Sequence, residues 1–352
     1  MIEDKLLEMI NNEAFPSANY SLITPFNKYI GSVGNKALYP SIEVNSINTL
    51  YDMASLTKVV VTNTIISRML DKKIINLNDL VCSYLPRFKH KNIKIIDLLT
   101  HSSGLPADLK PDINLNEEEY INQIYDLDLI YETHSKVVYS DIGFIILGFM
   151  IEIIYQKKLD EVAKQEVFIP LNMLNSCFNP KDKKLCAPTE VTEKRGVVRG
   201  VVHDEKAYVL GGIAGHAGLF STIKDITNFC EMILNNGYFN GKRYLSKDII
   251  NLYYQPLILE DENRYRTVGW IVGSKATATG NLGSMDTIFH LGFTGTSIII
   301  DRNKNIASIL LTNRIHPTRD NKKIYDCRPE FYKLCNDIYE LEKKLNLRGN
   351  IK

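Results

Sequence analysis

The first ten residues, Met1-Ile2-Glu3-Asp4-Lys5-Leu6-Leu7-Glu8-Met9-Ile10, space their apolar positions as an amphipathic helix does. The pattern then changes. Ala18 to Ile23 and Lys28 to Val33 read as two strands, and Thr24-Pro25-Phe26-Asn27 supplies the turn between them. From Leu56 to about Gln255 the pattern is helical segments separated by loops. Val59 to Leu70, Asp141 to Ile154 and Asp225 to Asn235 are the clearest helices. Strands return at Thr287 to Leu291, Ser297 to Ile300 and Ile306 to Thr312, with Asp301 to Asn305 as the last hairpin turn. Pro329 to Leu345 closes the chain as a helix, with Pro329 placed in its first turn.

Strands at both ends and helices between them predict an α/β (α+β) fold. Its sheet is built from both termini, is flanked by helices and is mainly antiparallel, because short hairpins join neighbouring strands. A large helical insertion forms a second lobe. The expected division is one domain with an α/β lobe at 1–55 and 256–352 and a mainly helical lobe at 56–255. A cleft between the lobes is the natural place for a site.

Composition narrows the function. The chain has 352 residues, 45% hydrophobic and 24% charged, as an ordinary globular protein does. Its 42 Lys+Arg against 41 Asp+Glu leave a formal net charge of +1. No global field steers it to nucleic acid or an anionic membrane, and neither is expected as a partner. The basic run from Phe88 to Lys94 is short and reads as a solvated loop. The most apolar stretch, Phe144 to Ile151, is broken by Glu152 and falls far short of the roughly 20 residues of a membrane span. The acidic start lacks the pattern of a secretory signal, so a cytoplasmic setting is expected. Cys82, Cys177, Cys186, Cys230, Cys327 and Cys335 show no paired spacing and read as reduced thiols.

The leading chemical feature is Ser55-Leu56-Thr57-Lys58 at the start of a helix. This spacing puts the two side chains one turn apart on one face. A serine hydroxyl is a weak nucleophile, and a partly desolvated lysine beside it can take its proton. The helix start adds N–H donors where an oxyanion would form. Ser221-Thr222-Ile223-Lys224 has the same spacing, but Thr222-x-x-Asp225 before an apolar run explains it as a helix cap. Two further segments stand out: Tyr139-Ser140-Asp141, where Ser140 or Asp141 can cap a helix, and His290-Leu291-Gly292-Phe293-Thr294-Gly295 on and after a late strand.

Together, Ser-x-x-Lys, Tyr-x-Asp and His-x-Gly in this order resemble the serine β-lactamase and penicillin-binding protein family. The nearest pattern is its class C and DD-peptidase-related branch. Leu98 to Pro106 and Gly215 to Thr222 resemble two more of that branch's segments, so the likeness covers nearly the whole chain. It implies that Ser55 attacks and is acylated, that Lys58 and Tyr139 jointly move its proton, and that the Ser55 and Phe293 N–H groups form the oxyanion hole. It places Asp141, His290, Gly292 and Thr294 against the substrate. No metal or other cofactor is implied. In place of the family's Asn, Asp141 only accepts hydrogen bonds and would pair with Lys58, keeping that lysine protonated unless the site is dry. His290 in place of Lys makes any positive charge there depend on pH.

A narrower resemblance lies in Val202 to Tyr208, Gly211 to His216 and Thr312 to Arg319. These segments look like a subgroup holding penicillin-binding proteins of the 4B type and N-acetylmuramoyl-L-alanine amidases of wall recycling. The resemblance implies a peptide or muropeptide substrate, with a β-lactam as a further ligand. Cleavage of the lactyl–L-alanine amide is the first expectation. D-alanyl-D-alanine carboxypeptidase, esterase and weak β-lactamase are the alternatives, beside a penicillin- or peptide-binding module without turnover. His203, Asp204 and His216 are expected to line the cleft, and Arg314 to reach a substrate carboxylate. Arg319 has surface ion pairing as its plainer explanation.

Overall fold

Thr24 reverses the chain: its hydroxyl oxygen accepts the N–H groups of Phe26 and Asn27. The strands it joins, Ser17–Ile23 and Lys28–Ala37, pair antiparallel with Ile23 opposite Lys28. The other edge of Ser17–Ile23 pairs with Ile306–Thr312, so the first long strand lies beside the last. The computed structural model describes residues 1–109, 116–262, 264–274 and 277–349. In it a nine-stranded sheet runs from Glu43–Val44 through these three strands to Ser297–Asp301 and Thr287–Leu291. Ile271–Val272, Arg264–Arg266 and Ile258–Asp261 complete it, and every neighbouring pair is antiparallel.

Successive residues of a strand face opposite sides, and both sides of this sheet are covered. Ile298, Ile300 and Ile309 enter the main core with the helices of the middle of the chain. Ile299, Ile306 and Phe289 pack instead against Tyr332 and Tyr339 of the final helix, Ile324–Gly349. The first helix, Ile2–Asn11, buries Ile2, Leu6 and Met9 on that same outer side. The predicted fold class is the observed one.

Three differences have physical causes. The strands Ile258–Asp261, Arg264–Arg266 and Ile271–Val272 are two to four residues long, too short to show a period of two, and are not predicted. The last helix begins at Ile324, which moves Pro329 from the expected first turn into the second. The expected helix from Val59 opens with a wider π-helical turn, Lys58–Thr62, before the α-helix Asn63–Asp71. Among the described residues, no helix is long and apolar enough to cross a membrane.

One glycine decides how the loop 211–218 meets the helix Asp141–Tyr155. A Cβ on Gly215 would lie 2.0 Å from the Phe144 carbonyl oxygen and 3.0 Å from Gly148 N. The close approach lets Thr62 donate to Gly215 O at 2.6 Å and brings His216 O to 3.5 Å from Lys58 Nζ. Gly215→Ala should therefore cost about 1–3 kcal/mol and lower the thermal midpoint by several degrees. A melting curve equal to wild type would show that this crossing is not tight.

Candidate active site

Ser55 sits in a tight turn held from three directions. The turn needs Ala54 in left-handed backbone, φ 46°, an uncommon state for a residue with a Cβ. Buried Asp52 holds it, accepting the Ala54 N–H on Oδ1 and the His203 N–H on Oδ2, both at 2.8 Å. From the sheet, Thr294 Oγ1 donates to Asp52 O at 2.7 Å and Thr296 Oγ1 to Met53 O at 3.2 Å. A Cβ on Gly292 would fall 2.7 Å from Met53 O, so only glycine lets the strand end come this close. The Ser55 and Phe293 N–H groups have no acceptor among the described residues.

Lys58 Nζ lies 3.0 Å from Ser55 Oγ and 2.7 Å from Asp141 Oδ1. Ser140 caps the helix Asp141–Tyr155, accepting the Gly143 N–H, which leaves the Asp141 carboxylate free to face Lys58. Lys58 is fully buried. Burial by itself favours the neutral amine, yet the Asp141 carboxylate outweighs it, with the Tyr139 hydroxyl contributing, and raises the lysine's proton affinity. Asp141 is held down to about 2: burial opposes this, and Lys58, His216 and Lys206 overcome it. The pairing expected of Asp141 thus prevails over the dryness of the site.

The Tyr139 ring covers this pair, its centroid 4.8 Å from Lys58 Nζ. His101 positions it by accepting the Ser140 N–H on Nδ1 and the Val138 N–H on its backbone oxygen. His290 lies beyond, its ring 6.2 Å from that of Tyr139. Burial, then the positive charges of Lys58 and Arg266, push His290 well below its ordinary pKa. This shift disfavours the charged ring and favours His290 as a neutral hydrogen-bonding group.

Ser55, Tyr139, Asp141, His203, His290, Gly292 and Phe293 line one cavity of about 520 Å³. Other expected residues stand behind its walls. Thr294 is buried with its hydroxyl spent on Asp52 O. His216 is buried and gives Nε2 to Asp204 Oδ1 at 2.7 Å, so its backbone oxygen is what faces Lys58. Arg314 does not reach the cavity: its guanidinium bonds the backbone oxygens of Phe293, Arg319 and Asn321 and lies 4.6 Å from the Phe293 ring centroid. It supports the Phe293 turn. Arg319 does line the cavity, paired with Glu190 and Glu205. The second Ser-x-x-Lys is split as expected, since Ser221 is buried beside Ser176, Lys224 is exposed and Thr222 caps the helix.

The structure adds two lining residues that were not singled out in the sequence, Arg266, which lies in no motif, and Lys206, which lies in the Val202 to Tyr208 segment. Arg266, only 3% exposed, lies 5.4 Å from the Tyr139 ring centroid. Its Nη2 donates to Glu260, while Nε and Nη1 have no partner among the described residues. Lys206 reaches Asp108, Asp141 and Asp204 at 3.0 to 3.2 Å. Ligand atoms of Asp141, Asp204 and His216 come within 4.8 Å of one another, a spacing that suits a cation. The ammonium groups of Lys58 and Lys206 supply positive charge to these carboxylates.

A serine and a lysine on the first turn of a helix, beside the end of an antiparallel strand, are the arrangement of a serine hydrolase. The family model described as Beta-lactamase matches residues 29–326, and the chain belongs to that family. Relatives in Salmonella agona and Salmonella typhimurium are 34% and 35% identical over 315 residues, 79% of this chain and 72% of theirs. Both carry the provisional name D-alanyl-D-alanine carboxypeptidase. Among solved structures, a class C beta-lactamase superposes with a TM-score of 0.76 at 15% identity, covering 94% of each chain. EstCE1, a hydrolase with promiscuous acyltransferase activity, gives 0.75 at 19%, covering 92% of this chain and 97% of its own. The octameric penicillin-binding protein homologue of Pyrococcus abyssi gives 0.73 at 20%, covering 96% and 76%. At these identities the likeness is one of fold.

Asp141→Asn removes the charge that holds the Lys58 proton, so the neutral amine forms at lower pH. The acid limb of Ser55 acylation by a small activated ester should move down by about one pH unit or more. A limb that stays in place or moves up would contradict the pairing.

Proposed function

We propose that the chain hydrolyses peptidoglycan-derived peptides through an acyl-enzyme on Ser55, with the lactyl–L-alanine amide of muropeptides as its bond. The 3.0 Å contact between Ser55 Oγ and Lys58 Nζ on the wall of the cavity carries the mechanism. Ser55 Oγ attacks the amide carbonyl, and its proton passes to Lys58 and Tyr139 together. The two unengaged N–H groups, of Ser55 and Phe293, receive the oxyanion. Tyr139 then protonates the leaving amine, and a water activated by the same pair releases the acid and restores Ser55. The lysine must first lose the proton that Asp141 favours, so the rate rises toward alkaline pH.

Two observations support the substrate class. The relatives are named for a peptidoglycan peptide, and the segments resembling the recycling subgroup supply His203, Asp204, Lys206 and Arg319 to the cavity wall. Arg266 supplies positive charge to the cavity wall beside Tyr139 and draws a peptide carboxylate there, the part first expected of Arg314. Action on imported muropeptides in the cytoplasm belongs to this reading. A D-alanyl-D-alanine carboxypeptidase is the second reading, favoured by the relatives' name and by the positive charge of Arg266, which would then attract the terminal carboxylate.

The test is incubation with N-acetylmuramoyl-tripeptide, a D-Ala-D-Ala peptide, a short acyl ester and a chromogenic cephalosporin. Release of the tripeptide, lost in Ser55→Ala, is expected. Release of D-alanine alone favours the second reading, and acylation without any product favours a binding module. Equal turnover by Ser55→Ala removes the nucleophile assignment. Tyr139→Phe should lose most activity, about 100-fold, and a rate near wild type would take Tyr139 out of the proton path.

A further inference from the structure

The Asp141 carboxylate is shared between two lysines. Oδ1 lies 2.7 Å from Lys58 Nζ, and Oδ2 lies 3.2 Å from Lys206 Nζ. Lys206 is nearly as buried as Lys58, with 8% of its side chain exposed, and also contacts Asp108 at 3.0 Å and Asp204 at 3.1 Å. It belongs to the short helix Glu205–Val209, whose first N–H groups Asp204 caps by accepting from Ala207. The same Asp204 oxygen takes His216 Nε2. Two buried ammonium groups and three carboxylates thus alternate along one wall of the cavity.

We propose that Lys206 is a positioning residue for acylation: by occupying Oδ2 of Asp141 it aims Oδ1 at Lys58 and weakens that carboxylate's hold on the Lys58 proton. Where the family usually has an uncharged Asn, this chain carries a negative charge at Asp141, and Lys206 sets a positive charge against it that offsets part of its effect. A carboxylate with one ammonium partner directs its whole field at that partner. A second cation on its far oxygen cancels part of the field and repels the first. The proposal rests on the Ser55–Lys58 pair and not on the muropeptide substrate.

The other groups that act on Lys58 are accounted for. Asp141 and Tyr139 touch it, and His101, His290 and Arg266 surround the Tyr139 ring. Asp108, Asp204 and His216 reach it through Asp141 and Lys206. Burial and neighbouring cations hold His101 and His290 well below their ordinary pKa, so neither changes charge across the neutral-to-alkaline range. Lys206 itself stays charged there: burial opposes its charge, but Asp204, Asp141 and Asp108 raise its proton affinity.

The experiment follows acylation of Ser55 in the full chain by a small p-nitrophenyl ester, using the burst and the intact mass, from neutral to alkaline pH. Lys206→Met should slow acylation about tenfold near neutrality and move the acid limb up by about one pH unit. Lys206→Arg, which keeps the charge, should restore the limb. Asp141→Asn combined with Lys206→Met should recover most of the loss, since both charges leave together. A Lys206→Met limb that stays in place, with the rate lowered equally at every pH, overturns the proposal. So does a double variant no faster than Lys206→Met. Should the methionine variant melt below the assay temperature, Lys206→Gln provides the same comparison. Wild type acylated by the ester yet inert toward muropeptides overturns the substrate reading alone. Wild type never acylated at Ser55 overturns this proposal together with the nucleophile.

Discussion

A lysine with no exposed surface must be neutral or paired, and Lys58 is paired. Burying an unpartnered ammonium is prohibitive, so the fold has to bring a carboxylate to it. Asp141 arrives on a different helix, delivered by the Ser140 cap and by His101, which fixes the backbone on both sides of Tyr139. Gly215 lets the loop behind come close enough for His216 O to face the same ammonium. Ser55, Tyr139 and the cavity wall take their places around this pair.

A second constraint sets the distance between Ser55 and the late strand. Thr294 and Thr296 donate to the backbone oxygens of Asp52 and Met53, bonds that span more than 240 residues of sequence. Hydroxyls hold the contact, and the Ser55 and Phe293 N–H groups have no acceptor among the described residues. Arg314 and Arg328 brace the same turn from beneath, through Phe293 O and through Gly292 O and Thr296 O. Much of the conspicuous charge near the site is therefore scaffold.

The chain's two departures from its family's pattern have different physical outcomes. Asp141 keeps its charge, because cations flank both oxygens. Burial and the positive charges of Lys58 and Arg266 disfavour the charged form of His290, and the fixed positive charge on that side is Arg266. The cavity has an acidic and cationic wall on the Asp141 side and an arginine on the His290 side. An Asn and a Lys at the two positions would offer an amide and a mobile charge instead.

The sequence by itself determined the elements and the order of the chemistry. Period-two and helical patterns marked the long terminal strands and the helices; Ser55 and Lys58 stood out by their one-turn spacing, and Tyr139, His290 and Phe293 by the family resemblance of their segments. Only the tertiary structure decided which neighbours those groups have. Arg266 belongs to no motif, Lys206 has no role marked within its segment, and they meet Tyr139 and Asp141 from distant parts of the chain. Arg314, Thr294 and His216 carry the right chemistry but spend it on backbone and buried partners. Whether a polar side chain faces solvent or holds the fold depends on packing between remote segments, and so does the sign of its pKa shift. No local pattern contains that information.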